Sequence, residues 1–539
     1  MTSTTSASTQ EARSLVLALL GSLVSWQGIC ALLSAWCLYT LFFHPLADLP
    51  GPLSARLGLP WRFYHALRRD YAWALKAAHD RHGPVVRLGV GHVSFASPSA
   101  AATIYAHASK DKPIFAKSVF YKSFWVFRDR GSLFSEIDPH QHVAWRRSVA
   151  PAYSMKTLTD LEDCLEAPVN LLKSRLESEI GEEANATATV NFSQIAHFAA
   201  MDMVGELAFG SDFGLLRAGA DPDRFLTGVT NLSQLGGAAG CLPRIGGRPL
   251  VKLLAYLRAE PGREVIDAAT RGRVQRRVDE LRKGGEVRPD MLAKFMAAKH
   301  PFTGEPLTFA QTLFMASSVI SAGSDTTAVA LSATIEALVR HPEAYARAQA
   351  EVDEAFARGT MTEPIRYADG VKLEFLQACL KESIRLHTPV AMELARLVPA
   401  GGAIIDGRFY KAGTTVGVSP FVLHRQPAAY GADAAEWKPD RWCGCDEETR
   451  RALERNNLVF GGGSRVCIGK TISMMELSKI LPMLLRHFHF LPVPASAREP
   501  GYQGRSVEGV ISKDEPWMTE SSWFLHVSNL HLRMSRRHV

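Results

Sequence analysis

Cysteine is scarce in this sequence, with eight residues in 539, and this excludes a small disulfide-stabilised scaffold. Neither sign of charge dominates, since 61 Lys and Arg face 54 Asp and Glu for a net charge of +7. That excess is too small to indicate nucleic-acid binding, but it suits an anionic membrane surface or an acidic partner. Internal repeats, low-complexity tracts and domain-splitting linkers are all missing beyond residue 60, so we expect one large domain.

Charge is absent from residues 14–43, a run of thirty residues. As a helix this run would be about 45 Å long, which exceeds the hydrocarbon core of about 30 Å. It therefore predicts a transmembrane anchor after a tail at 1–13, with the excess taken up by tilt or by a break near Gly28. A cleaved signal peptide is the alternative, but the apolar run is too long for one.

The segment 44–60 is rich in proline and predicts a stiff hinge before a large body at 61–539. Basic residues on this side of the apolar run place the body in the cytosol; they are Arg56, Arg62, Arg68 and Arg69.

Apolar periodicity beyond the hinge predicts a mostly α fold with a small β part. The predicted helices are 61–82, 97–107, 140–150, 156–182, 192–209, 262–283, 305–340, 342–358, 371–386 and 467–488. Strands are predicted within 84–96 and 397–418. Glycine and proline predict a loop at 236–247.

A glycine-rich turn at residues 460–469 reads FGGGSRVCIG and ends in a cysteine at the start of a predicted helix. The helix N-terminus favours a thiolate at Cys467. Arg465 adds a cation two residues away, and a buried metal would complete such a site. The glycines allow close approach of a flat partner; they are Gly461, Gly463 and Gly469.

The glycine-rich turn has three other interpretations. A phosphate-binding loop fails because position 464 is serine where its pattern needs glycine. Zinc would need more ligands than the pair Cys443 and Cys445. The third alternative is a purely structural turn whose cysteine has no chemical role.

The same string resembles the F-x-x-G-x-R-x-C-x-G signature of the cytochrome P450 family at every fixed position. The resemblance implies a cytochrome P450 fold after one N-terminal transmembrane helix. It also implies that Cys467 is the axial thiolate ligand of haem b iron. Phe460 would pack beside the sulfur, and Arg465 would pair with a haem propionate.

A second segment, residues 319–328, reads VISAGSDTTA within a predicted helix. Gly323 and two poor helix formers predict a locally opened helix, and a carboxylate beside a hydroxyl suits proton relay. The alternative is a solvated patch or a helix whose hydroxyls bond to its own carbonyls. Residues 322–327 are similar to the family's oxygen-activation motif, which implies that Asp325 and Thr326 are catalytic.

Two further motifs are weak when taken alone, but their order along the chain makes them informative together. Glu382 and Arg385 alone suggest a surface ion pair on a helix. In the family such a pair joins an arginine from a later P-x-R-[FW] element, here Arg441, in a buried structural triad that holds the cysteine loop.

The resemblance also implies three more haem-propionate contacts, at His142, Arg146 and Arg396, and arginine suits a planar carboxylate. The family often has tryptophan where His142 stands, and the sequence leaves open whether His142 or the offset Trp145 takes that place. The alternative for this segment is a basic face that docks an acidic partner.

Six aromatic residues crowd positions 115–127. By resemblance this segment covers the substrate side of the haem, so we expect an apolar, partly aromatic pocket. Its predicted lining is Phe120, Phe124, Ser321, Ala322, Val390 and Ala391. Glu393 either faces this pocket as a polar anchor or pairs with a nearby cation.

Together the motifs are similar to membrane-bound fungal members of the family, most of all to the pisatin demethylase-like branch. This implies a monooxygenase of the endoplasmic reticulum membrane that inserts one oxygen atom into an apolar small molecule, by hydroxylation, epoxidation or O-dealkylation, in secondary metabolite biosynthesis. Electrons would come from NADPH through cytochrome P450 reductase. The alternatives are a haem-thiolate dehydratase or isomerase and a non-catalytic haem sensor.

Overall fold

The computed structural model describes residues 25–107, 114–124, 132–183, 186–242, 248–257, 263–286, 288–493 and 518–538. Within these ranges the chain is mostly helical. The α-helices, numbered α1 to α22 in chain order, are Trp26–Leu38, Leu53–Arg56, Trp61–Arg68, Tyr71–His82, Pro98–Ile104, Pro139–Val149, Met155–Asp160, Glu166–Ile180, Phe192–Phe209, Leu215–Ala218, Phe225–Gly240, Arg248–Leu257, Arg263–Arg282, Met291–Ala297, Phe309–Arg340, Pro342–Ala357, Tyr367–Gly370, Glu374–Leu386, Pro420–Leu423, Pro427–Tyr430, Glu447–Asn456 and Lys470–His487.

The strands form four small sheets, and both predicted strand regions are confirmed. Strands β1 to β11 are Val85–Gly89, His92–Phe95, Thr187–Asn191, Arg396–Leu397, Ala403–Ile405, Arg408–Tyr410, Thr415–Val418, Phe488–Pro492, Met518–Ser521, Leu525–Ser528 and His531–Arg536. The largest sheet has the order β1-β2-β7-β4; β2 and β7 run parallel, and the other two pairs are antiparallel. The remaining sheets are β3-β11-β8, β9-β10 and β5-β6, all antiparallel.

The N-terminal helix α1 is capped by the Ser25 hydroxyl and continues as a π-helix at Tyr39–Phe43. Among the described residues, Trp26–Phe43 is the one helix long and apolar enough to cross a membrane. Its 18 residues correspond to about 27 Å, and almost none of them is buried. These features are compatible with a single-pass anchor; the predicted anchor residues 14–24 lie outside the described residues.

The proline-rich segment after this helix is docked against the first sheet. The Arg87 guanidinium, which is fully buried, donates to the carbonyls of Thr40 and Leu46. A Cβ at Gly51 would lie 2.3 Å from the Arg87 carbonyl oxygen, so only glycine allows this approach. The predicted stiff hinge is therefore held by contacts with β1.

The long helix α15 runs through the largest apolar cluster of the described residues. Its N-terminus carries a reciprocal capping box between Thr308 and Gln311. It packs along α9 so closely that a Cβ at Gly323 would lie 2.9 Å from a methyl group of Val204. The glycine in the middle of this helix therefore serves helix packing.

The structure overturns the loop predicted at 236–247 over its first five residues. Helix α11 continues to Gly240, and residues 243–247 lie outside the described residues. Added Cβ atoms at Gly236 and Gly240 would lie 2.5 Å from the rings of Phe124 and Phe120. These glycines lie on the face of α11 that contacts the two aromatic rings. They therefore serve close packing of the helix and do not form a turn.

Glu382 lies at the centre of a fully buried ion-pair network. Its two carboxylate oxygens each accept a hydrogen bond from the Arg385 guanidinium at 2.8 Å. Arg441 Nε donates to the same carboxylate at 2.8 Å, and Trp442 Nε1 donates at 2.9 Å. Burial raises the pKa of Glu382, but the Arg385 contacts outweigh it, so the pKa lies below its ordinary value.

This network supports the cysteine loop through one histidine. Arg385 donates to the carbonyl oxygen of His424, and His424 Nδ1 lies 2.8 Å from the Arg385 carbonyl oxygen. The other ring nitrogen of His424 accepts from the Leu458 backbone N–H at 2.9 Å, and the Leu458 carbonyl accepts from Gly461. A continuous chain of hydrogen bonds thus connects the triad to the turn before Cys467.

We expect Glu382→Gln to destabilise the protein by about 3 kcal/mol, because it leaves the buried Arg385 charge uncompensated. The measurement is the guanidinium unfolding midpoint of the full chain.

Glu354→Gln is the matched control, because Glu354 and Arg358 form an exposed i,i+4 pair. Its cost should stay below about 0.5 kcal/mol. Since the pKa of Glu382 is lowered on folding, its contribution is present above the unfolded pKa and is lost as pH falls through the folded value. Equal losses in both variants, or an unchanged acid limb in Glu382→Gln, would contradict this role.

Candidate haem site

The cysteine loop is closed by its own backbone. The Cys467 N–H donates to the Phe460 carbonyl oxygen at 2.8 Å. Gly461 and Gly463 have φ values of 71° and 60°, which disfavour other residues. A Cβ at Gly463 would also lie 2.3 Å from the Tyr105 carbonyl oxygen, so the loop backbone presses against its neighbour there.

The Cys467 side chain combines solvent exposure with a dense protein environment. It is exposed, yet burial raises the pKa of its thiol above the ordinary value. The backbone N–H groups of Gly469 and Lys470 and the Arg146 guanidinium act in the opposite direction. Helix α22 begins at Lys470, three residues later than predicted, so these N–H groups point back towards the sulfur.

Four cationic side chains gather beside this loop. Lys117 and Arg396 face each other across an isolated β-bridge, and both are almost fully buried. Arg465 donates to the Glu136 carbonyl oxygen at 2.6 Å, and Arg146 donates to the Val466 carbonyl oxygen at 2.8 Å. Among the described residues, none of these four cations forms an ion pair with a carboxylate.

The electrostatic effect of this crowding is visible in the pKa values of the group. Burial and the like charges of Arg396 and Arg465 hold the pKa of Lys117 well below its ordinary value. Burial and Arg396 lower the pKa of Arg465 to about 10. Because unpaired buried charge is costly, the cluster needs an anionic partner.

His142 belongs to this cluster. It is 2% exposed, its Nδ1 has no hydrogen-bond partner among the described residues, and burial followed by the surrounding cations lowers its pKa to about 3. Trp145 packs edge-on against His300 with ring centres 5.0 Å apart. The structure therefore places His142, and not Trp145, among the cations.

Helix α15 presents its polar residues on two different sides. Ala322 is exposed and Thr326, one turn later, is partly exposed, so these two share an open face. Asp325 is buried on another side, with Thr230 of α11 donating to its carboxylate at 3.3 Å and His197 of α9 nearby. Burial raises the pKa of Asp325, while His197 and Thr230 oppose the shift.

The predicted local opening of this helix is wrong. Residues Phe309–Arg340 form one continuous α-helix. The Thr326 hydroxyl donates to the Ala322 carbonyl at 2.8 Å, and Ser321 and Ser324 bond to their own preceding turns. Packing on α9 and hydroxyl back-bonding keep the helix regular in spite of its poor helix formers.

The family model described as Cytochrome P450 matches residues 55–518 of the chain. The chain belongs to the cytochrome P450 family. A cytochrome P450 monooxygenase of Aspergillus terreus is 32% identical over 454 residues, covering 82% of this chain and 90% of that protein.

Two further relatives are cytochrome P450 monooxygenase gsfF of Penicillium aethiopicum and a pisatin demethylase of Fusarium vanettenii. The first is 31% identical and covers 86% of this chain and 92% of that protein. The second is 28% identical and covers 84% and 85%. This cytochrome P450 is therefore a haem-thiolate monooxygenase, similar to fungal members.

The residues present fit a haem. The family holds haem iron by a cysteine thiolate, and Cys467 offers an exposed sulfur beside the cation cluster. A haem carries two propionate carboxylates, which match the four cations and the unpartnered Nδ1 of His142. Phe460 is half-buried on the same loop, with the Lys470 ammonium 5.5 Å from its ring centre.

The predicted pocket residues do not share one environment. Phe124, Ser321, Ala322 and Val390 are partly or fully exposed, whereas Phe120 is 3% exposed within a cluster of aromatic rings. Ala391 is fully buried and packs in a small core cluster that also contains Trp73 and Phe421. Residues 125–127 of the predicted aromatic segment lie outside the described residues.

Glu393 pairs with a cation. Arg62 Nη2 lies 2.6 Å from its carboxylate, which also accepts from Tyr71 at 2.7 Å and lies 2.9 Å from His92 Nε2. Burial opposes ionisation, but Arg62 and His92 lower the pKa of Glu393 to about 2. Of the two alternatives left open by the sequence, the structure thus supports the ion pair.

Sequence reasoning missed two residues of this region. Lys117 carried a weak signal, since it is a cation within an aromatic segment. Trp523 carried none, because it comes from the far C-terminal part of the chain. Its ring centre lies 5.4 Å from that of Phe120 and 5.7 Å from that of Phe124.

We expect Lys117→Met to weaken haem retention about tenfold, because one charge-assisted contact to a carboxylate is lost. The same change should leave the haem-free protein as stable as before or more so, since it removes like-charge repulsion. Haem transfer to an acceptor protein and unfolding of the haem-free chain measure the two effects.

Lys156→Met, at an exposed lysine of α7, is the matched control and should change neither quantity. Loss of stability in the haem-free Lys117→Met protein, with haem transfer unaltered, would show that Lys117 has a packing role only.

Proposed function

We propose that the chain inserts one atom of dioxygen into an apolar small molecule with Cys467 as the axial haem ligand. The observation that carries this assignment is the exposed Cys467 side chain on a loop that packs against Tyr105 at Gly463 and lies beside buried cations. When bound, the haem with its thiolate ligand supplies the activation of dioxygen.

The chain orients the haem through its cations. Lys117, Arg146, Arg396 and Arg465 would hold the propionates, with His142 donating from its neutral ring. Binding of two carboxylates removes the repulsion among the cations, which fixes the haem in one orientation. In this role the glycines at 461, 463 and 469 keep the loop backbone close to the haem plane.

Thr326 and Asp325 would provide protons. The Thr326 hydroxyl lies on the open face of α15 beside Ala322, where it can hold a proton at Oγ1. Asp325 lies behind it, and burial raises the pKa of its carboxyl group above the ordinary value. A proton donor with a pKa moved towards neutrality is suited to general acid catalysis.

The substrate would be apolar and would contact aromatic residues. Phe120, Phe124, Phe134 and Trp523 form one cluster with ring centres 5.3 to 6.0 Å apart. Hydroxylation, epoxidation and O-dealkylation all follow from one inserted oxygen atom, and the name of the pisatin demethylase relative supports the last of these. We place the reaction in fungal secondary metabolite biosynthesis.

Electrons would come from NADPH through cytochrome P450 reductase, docked near Cys467. Arg147 and Lys470 are exposed, and their neighbours Arg146 and Gly469 touch the cysteine loop. These cations suit an acidic partner. Residues 14–43 would anchor the protein in the endoplasmic reticulum membrane after a tail at 1–13, with 44–60 as hinge and 61–539 as a cytosolic catalytic domain.

The test is an incubation of membranes containing the protein, the reductase and NADPH under isotopically labelled dioxygen with a host metabolite extract. We expect one metabolite to gain a single labelled oxygen atom, or to lose an alkyl group oxidised to a labelled carbonyl compound. Mass spectrometry reads the products, and the reduced carbon monoxide spectrum confirms a thiolate-ligated haem.

Cys467→Ala is the control and should lose both that spectrum and the labelled product. If the spectrum survived the substitution, the ligand would be another residue. A changed but unlabelled metabolite made by spectrally intact protein would indicate a dehydratase or isomerase.

We further expect Thr326→Ala to keep the carbon monoxide spectrum and to lower the product formed per NADPH about tenfold or more, because a positioned proton donor is lost. The readout is NADPH consumed against product and hydrogen peroxide formed. Ser324→Ala is the control two residues earlier in the same helix, since the Ser324 hydroxyl is buried and bonded to the Ile320 carbonyl. Unaltered coupling in Thr326→Ala would remove Thr326 from proton delivery.

A further inference from the structure

Three polar groups from distant parts of the chain, two of them buried and one partly buried, converge behind helix α15. They are His197 on α9, Asp325 on α15 and His526 on β10, and one ligand atom of each lies within 4.8 Å of the others. His197 Nε2, Asp325 Oδ1 and His526 Nδ1 have no hydrogen-bond partner among the described residues. The His197 and Asp325 side chains are only 8% and 1% exposed.

An unsatisfied buried polar atom is costly, so three at one point indicate a shared partner. The distance from His197 Nε2 to Asp325 Oδ1 is 3.8 Å, too long for a direct hydrogen bond. Two ligands of a tetrahedral zinc ion would lie about 3.4 Å apart, whereas two partners of one water molecule lie about 4.6 Å apart. The separation of 3.8 Å exceeds that of two ligands on one zinc ion, and one water molecule can bridge it at hydrogen-bond distance from both atoms.

We propose that His197, Asp325 and His526 bind one water molecule, and that His197 passes protons through it to Asp325. This inference rests on the proposed function, in which Asp325 supplies protons to the open face of α15. It adds two histidines that the sequence motifs of the family do not include.

The tautomer of His197 is fixed by its other nitrogen. His197 Nδ1 lies 2.7 Å from the Ser193 carbonyl oxygen, which only accepts, so Nδ1 carries a hydrogen. Nε2 is then the site where a proton is gained or lost, and this atom faces Asp325. The imidazolium gives its Nε2 proton to the water, and the water gives one of its own to Asp325 Oδ1. One proton moves in total, the water is regenerated, and His197 recovers its proton from solvent.

The other groups around the cluster have supporting roles. Thr230 donates to Asp325 Oδ2 at 3.3 Å, which leaves Oδ1 for the water. Burial, with the charges of His197 and Arg69, lowers the pKa of His526 to about 3, so its ring stays neutral and orients the water. His526 is partly buried and lies opposite Glu520 in the β9–β10 pair, where Glu520 pairs with Arg69 at 2.8 Å. This side of the cluster leads towards the surface.

The test uses the full-length protein with reductase and NADPH in phospholipid vesicles and needs no substrate. Oxygen reduced by two electrons leaves as hydrogen peroxide, whereas reduction by four electrons to water needs two more protons. We expect His197→Gln to raise the peroxide released per oxygen consumed about tenfold, because glutamine holds the water but carries no proton. The solvent deuterium isotope effect on water formation should rise as well.

Two variants of His526 separate orientation from packing. His526→Leu should raise the peroxide fraction, and His526→Asn, whose amide oxygen replaces Nδ1, should fall between His526→Leu and the unaltered protein. His79→Gln is the matched control, since His79 is a buried histidine of α4 that is bonded to Ser94 and to the Gly83 carbonyl. All variants should retain the reduced carbon monoxide spectrum.

Asp325→Asn separates failure of this inference from failure of the proposed function. If Asp325→Asn raises the peroxide fraction and His197→Gln does not, the histidine relay is wrong and the role of Asp325 stands. If neither variant changes it, the proton-delivery role of Asp325 is wrong too. One zinc ion per haem in the purified protein, lost in His526→Leu, would overturn the water assignment.

Discussion

Unpaired positive charge beside the cysteine loop is the constraint on which the site depends. Lys117 and Arg396 are almost fully buried, and burial together with the positive charge of Arg396 lowers the pKa of Arg465. Such a cluster is tolerated only if an anion completes it, since buried like charges repel strongly at low effective dielectric constant. The propionates of a haem would satisfy this need, so we expect cofactor binding and the stability of this region to be coupled.

The opposite arrangement holds at the triad, where every charge is already paired. Glu382 accepts hydrogen bonds from two arginines and a tryptophan, and none of these contacts needs a ligand. His424 connects this network to the backbone before Cys467, because its ring accepts a hydrogen bond from the Leu458 N–H. On one side, the cysteine loop is thus held by the triad network, in which every charge is paired. On its other side lies the cation cluster, which would bind the cofactor.

Helix α15 separates two environments. Ala322 and Thr326 lie on its open face, whereas Asp325 faces buried histidines on the other side. In the proposed mechanism, a proton supply behind the helix would keep charged groups away from an apolar substrate. The regular backbone is maintained because the hydroxyls of this stretch bond to their own helix and Gly323 lets α9 approach.

Local sequence determined what depends on short spacing: the cysteine turn, the Asp325–Thr326 pair, both strand regions and the apolar N-terminal helix. Such features are set by neighbouring residues and by the family pattern that they match. The tertiary structure alone decided which face each residue serves. In the folded protein, the glycines of α11 contact aromatic rings, Glu393 pairs with Arg62, and His526 lies near Asp325. These residues are far apart in the sequence. Contacts over such distances leave no periodicity in the chain, so the sequence did not predict them.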